Sequence, residues 1–127
     1  MTREMTPAEF KITRLYLGYP LQELADYLGE EYSAARNWDN GRCYPPAEVA
    51  DRVRELARLT EQVVAYLTRH YETHTDEWPI EVPYNQESVD AGIYEDVEAP
   101  EGAPVGWWRM VLARVAHNIP DAGVDWT

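Results

Sequence analysis

His70 and His74 stand four residues apart, about one helical turn, a spacing at which two imidazoles reach a single metal ion. Asp76 or Glu77 is the nearest third ligand, and no cysteine stands close by to complete a set. Two solvated histidines at a helix end explain the pair more simply, so the expectation is no metal and no cofactor. The single cysteine, Cys43, precludes an internal disulfide and a multi-cysteine metal site. It has no histidine beside it in sequence to make a nucleophile of it. The chain has no phosphate-cradling glycine loop and no nucleophile elbow, and its carboxylates are scattered without a recognisable catalytic pair. The chain therefore does not read as an enzyme. Of the five tryptophans, Trp38, Trp107 and Trp108 fall where packing needs them, while Trp78 and Trp126 have no evident role.

The 127 residues suffice for one domain, or a small domain with an extension, and 45% hydrophobic residues support a packed core. The longest apolar run, Val63 to Leu67, is far too short for a membrane helix. Met1 to Pro7 has no apolar signal region, and the chain is expected in the cytoplasm, away from membranes. The net charge of −12 is unevenly spread. Residues 1–60 hold eight Lys and Arg against ten Asp and Glu, and residues 61–127 hold three against 13. No lysine or arginine lies between Arg69 and Arg109, so the acidic excess is segregated into the second half. A local basic face in the first half would come from Arg14, Arg36, Arg42 and Lys11.

These residues need elements to hold them. Thr6, Pro7 and Glu9 form a capping-box start for a helix to about Leu17, with Phe10, Leu15 and Leu17 inward. Gly18-Tyr19-Pro20 ends it. Leu24 and Leu28 give the next helix an inward face, and Ala25 is small enough for a crossing helix to approach. Gly29 supplies a positive-φ turn, and Ala35 and Trp38 repeat the inward spacing on a further helix. Asn40-Gly41 is a turn signal, and Arg42 to Pro46 a loop. From Pro46 to about Tyr71, Val49, Val53, Leu56, Thr60, Val63 and Leu67 alternate at spacings of four and three, a helix-packing seam. So long a seam on a short domain is expected to carry a dimer interface. Glu72 to Pro104 is acidic and turn-rich. Within it Trp78 to Tyr84 alternates like an edge strand between prolines, and Ser88 to Val97 suggests a short helix or strand. Val105 to Ala116 reads as a helix with Trp108, Val111, Leu112 and Val115 on its apolar face, and the tail from Asn118 as a loop.

Ala25, Gly29, Ala35, Trp38 and Asn40-Gly41 stand in one register, and Trp38-Asp39-Asn40-Gly41 is similar to the Trp-Glu-Asn-Gly ending of one class. Leu21 to Gly41 thus resembles the helix-turn-helix of the Cro/C1 repressors. One departure is the pair Glu30 and Glu31, where that class carries an apolar and then a small hydroxyl residue. These carboxylates suit a helix N-terminus but repel phosphate. Tyr32 is either the missing apolar anchor or a base-facing residue. More loosely, the order of elements and the Val105-Gly106-Trp107 start of the last helix resemble the small YdiL-type helix-turn-helix proteins, which include repressors of phage anti-CRISPR operons.

The resemblance implies a mainly α fold: a Cro/C1-like helix-turn-helix domain over residues 1–60, a long connecting helix, and a small acidic α+β dimerisation or interaction region over 61–127. It implies a homodimer on double-stranded DNA, repressing its own or a neighbouring operon through a palindromic operator with half-sites about 10 base pairs, or a multiple, apart. Tyr32, Ser33, Arg36 and Asn37 would face base edges, Arg36 suited to guanine and Asn37 to adenine. Gln22, Asn40 and Arg42 would hold phosphates. The alternative is an antitoxin or a phage protein that captures a host factor through its acidic half.

Overall fold

The computed structural model of the chain describes residues 3–92 and 94–127. Met1, Thr2 and Ile93, the last inside the expected Ser88–Val97 element, lie outside the described residues. Helix α1 spans Pro7–Tyr16. Its capping box is formed as expected: Thr6 Oγ1 accepts from Glu9 N at 3.1 Å, and Glu9 Oε1 accepts from Thr6 N at 3.4 Å. Phe10 is buried and meets Trp38 edge-on at 5.7 Å. Leu17 is buried too, but Leu15 is 54% exposed, against expectation. At about 100° per residue, Leu15 points roughly 140° away from Phe10, whereas Leu17, two turns on, returns to its side.

Helices α2 (Leu21–Leu28) and α3 (Tyr32–Asp39) follow, joined by a tight turn. Gly29 has φ 68° and ψ 31°, and the turn closes with Gly29 N donating to Asp26 O and Glu30 N to Ala25 O. That pair of bonds is a Schellman motif, which only a left-handed residue can close. A Cβ on Gly29 would touch nothing within 4 Å, so backbone conformation alone restricts the position. Gly29→Ala should therefore cost only about 1–2 kcal/mol in urea unfolding, the left-handed penalty without a clash. A loss well above that would mean that the turn has unseen neighbours.

Helix α4 runs over Ala47–Thr73 with Val49, Val53, Leu56, Thr60, Val63 and Leu67 buried, so the seam is real. Its partner is within the chain. Helix α6 (Val105–Asn118) lies along α4 and buries Trp107, Trp108, Val111, Leu112 and Val115 against it. The surface expected to carry a dimer interface is thus covered by the chain's own last helix. Residue 60, the expected boundary, lies in mid-helix, and buried side chains from both sides of it form one cluster.

The described residues of the acidic segment are held by a few aromatic anchors. Trp78 Nε1 donates to Tyr71 O at 2.9 Å and turns the chain back after α4. Strand β1 is only Ile80–Val82, and a short helix, α5, spans Gln86–Asp90. Tyr94 stacks on Trp108 and donates its hydroxyl to Glu81 O at 2.6 Å. Tyr71 OH lies 2.7 Å from that hydroxyl and must be the donor to it, since a phenol has one proton. Burial keeps the Tyr94 hydroxyl protonated far above the usual tyrosine range. The tail from Asn118 is not a loop, as expected, but a 3-10 turn (Pro120–Ala122) and strand β2 (Val124–Trp126). β2 pairs in parallel with β1, Ile80 opposite Val124 and Val82 opposite Trp126. A parallel pair needs a long crossover, which α5 and α6 supply. Among the described residues the architecture is mainly α with one two-stranded sheet. Among the described residues, no helix is long and apolar enough to cross a membrane.

Candidate nucleic-acid interface

Helix α3 buries Ala35 and Trp38 and turns its other side outward. Tyr32, Ser33 and Arg36 are exposed, and Asn37 is half-buried. Tyr32, 43% exposed in the first turn, does not serve as a buried apolar anchor. Asn37 also closes the loop after the helix, its backbone carbonyl accepting from Arg42 N at 3.0 Å and Cys43 N at 3.1 Å. Asn40 reinforces that loop, its Oδ1 accepting from Arg42 N at 3.1 Å. Gln22 is exposed, with one Nε2 hydrogen donated to Asp26 Oδ1 at 2.9 Å, so its second N–H and its carbonyl remain free.

The cations divide sharply. Arg14 makes a two-pronged contact with Asp39, at 2.9 and 3.2 Å, and also donates to Tyr19 O. Its side chain is 12% exposed, so it pins α1 to α3 and is not the phosphate ligand that the sequence suggested. Lys11 Nζ lies 3.8 Å from the same carboxylate. Arg52 caps the α2 carbonyls of Tyr27 and Leu28, Arg3 pairs with Glu9, Arg54 with Asp51 and Arg58 with Glu55. Arg109 bonds Tyr84 O, and Arg114 stacks on Tyr16 while bonding its carbonyl. Among the described residues, Arg36, Arg42 and Arg69 are the cations left with neither ion pair nor side-chain hydrogen bond. Two of these three sit on α3 and the loop behind it.

Against them stand Glu30 and Glu31, both exposed at the start of α3. Glu31 occupies the N-cap yet makes no side-chain bond to the helix, so its charge faces solvent without the capping that a serine or threonine gives. Position 31 is where the small hydroxyl was expected, and the geometry shows what its replacement loses.

One cluster was left incomplete by the sequence. The 3-10 turn Thr75–Glu77 folds back beneath the end of α4, bringing Glu77 Oε1 to 2.9 Å from His70 Nε2. The i,i+4 spacing flagged the histidines, but only the return of the chain at Trp78 decides between Asp76 and Glu77 as their neighbour. The chain matches no protein-family model, and no curated protein matches it.

Proposed function

We propose that the chain is a sequence-specific DNA-binding regulator of the Cro/C1 kind, a homodimer that represses its own or a neighbouring operon. The observation that carries this reading is the pair of uncommitted guanidinium groups, Arg36 and Arg42. Beside them Ser33 and Asn37 offer further hydrogen-bonding groups on the same helix. In a molecule whose other first-half cations are engaged, two free ones on and after α3 suit a base edge and a phosphate. Arg36 reads a guanine, Asn37 an adenine, and Arg42, Asn40 and Gln22 set the register. The α4 seam is used within the chain, so the homodimer is drawn only from the resemblance of Leu21 to Gly41 to the Cro/C1 repressors.

So few cations give a distinctive test. Fluorescence anisotropy on the duplex upstream of the gene should show selective binding over a scrambled duplex. The slope of log K against log salt should be shallow, about −1 to −2 per protomer. Arg36→Ala should cost about 1–3 kcal/mol and relax discrimination at one operator position. Equal affinity of Arg36→Ala and wild type for every duplex would remove that residue from the reading.

A second reading draws on a specific observation: Asp39 holds Arg14 and Lys11, and Glu30 and Glu31 guard the start of α3. Such a face suits a protein partner, with the acidic second half as binding surface. It predicts no DNA selectivity at any salt concentration, and a stable complex with a basic partner protein.

A further inference from the structure

We propose that His70, His74 and Glu77 form a binding site for a first-row transition-metal dication of the zinc class. One nitrogen from each histidine and one Glu77 oxygen lie within 4.8 Å of one another. Four-coordinate zinc with bonds of about 2.1 Å holds its ligand atoms roughly 3.4 Å apart. The His70 to Glu77 separation, 2.9 Å, therefore needs to open by about half an ångström. The imidazoles stack at 4.2 Å with planes 13° apart, so both rings must turn out of the stack for their lone pairs to meet on one ion.

His74 is also prepared as a ligand, whereas His70 Nε2 donates to Glu77 and must give up that proton to bind an ion. His74 Nδ1 lies 2.8 Å from the His70 backbone oxygen, and an oxygen of that kind can only accept. His74 Nδ1 is therefore protonated, and in the neutral ring Nε2 carries the free lone pair. A ring nitrogen tied to a backbone carbonyl is the usual support of a metal-bound histidine. The third ligand is held independently, because the bond from Trp78 Nε1 to Tyr71 O fixes the return of the chain that carries Glu77. Surrounding charge favours a cation: His70 and Glu77 line a groove of about 630 Å³ whose rim includes Glu81, Glu95 and Asp96. Three protein ligands leave a fourth position for water or an outside ligand. A bound ion would tie the end of α4 to the lead-in of β1.

The test uses the whole chain with Cys43→Ser, since the exposed thiol is itself a zinc ligand. Zinc is titrated in competition with a chromophoric chelator, and cobalt(II) is followed by its visible absorption. The proposal expects one ion per chain at micromolar affinity or tighter, intense tetrahedral cobalt bands, and little competition from magnesium. His74→Ala, at an exposed position, should keep the fold by circular dichroism, weaken zinc at least tenfold and abolish the zinc-induced rise in Tm. Glu77→Gln should weaken it less. Binding unchanged in His74→Ala, less than one ion per chain, or magnesium competing as well as zinc would each overturn the site and leave only an acidic groove.

Discussion

Gly18→Ala is expected to lower stability by about 2–5 kcal/mol, one of the two largest effects in the molecule. Gly18 sits in the turn between α1 and α2 with φ +71°, and its backbone lies directly against that of Gly106 in the first turn of α6. A Cβ there would overlap the Gly106 carbonyl oxygen and stand 2.7 Å from Met110 Cγ. The methionine side chain can move aside, but the carbonyl belongs to a helix and cannot. Two penalties combine: about 1–2 kcal/mol for a left-handed alanine and about 1–3 kcal/mol for forcing packed backbones apart. Gly106→Ala meets the mirror-image clash with the Gly18 carbonyl, but its φ is not positive. It should cost only the second penalty. Because both substitutions push the same two backbones apart, the double variant should cost less than their sum. Urea unfolding of the three variants checks the ordering. A Gly18→Ala variant within about 0.5 kcal/mol of wild type would mean that α6 does not clamp the α1–α2 turn.

That contact shows where the sequence was legible and where it was not. The start of α1, the α2–α3 turn and the start of α4 follow from Thr6 with Glu9, from Gly29 and from Pro46, all local signals that fix a few dihedral angles. The Val105 helix is likewise visible in its own apolar spacing. What escaped depends on residues far apart in sequence. Nothing in Val124-Asp125-Trp126 marks a strand until Ile80–Val82 lies beside it. Nothing near Arg14 shows that Asp39, 25 residues on, takes its charge. Tyr32, Ser33 and Arg36 do lie on the outer face of α3, yet the basic face around them is smaller than the sequence suggested, because ion pairing decides which cations remain free. Leu15 failed for a different reason: five residues after Phe10 it stands about 140° round the helix, on the outer side.

The second large effect lies at the centre of the cluster joining α4 to α6. Thr60 is fully buried; its Oγ1 donates to Leu56 O at 2.7 Å and accepts from Trp107 Nε1 at 3.0 Å. The hydroxyl has one proton, already used by the helix carbonyl, so the indole N–H is oriented onto its lone pair and has no other partner among the described residues. Trp107→Ala empties a site with no solvent exposure and should cost about 3–5 kcal/mol. Thr60→Val keeps the shape and removes the acceptor. It strands a buried N–H and should cost about 1–3 kcal/mol, although valine is the more hydrophobic residue. Trp107→Phe removes the donor instead and leaves Thr60 bonded to Leu56. In that background Thr60→Val should become nearly neutral, because no N–H remains to be stranded. Unfolding free energies for the four proteins of this cycle isolate the coupling, expected at about 1 kcal/mol or more. If Thr60→Val costs the same with tryptophan or phenylalanine at 107, the hydrogen bond contributes nothing beyond packing. The clamp between α4 and α6 would then be apolar alone.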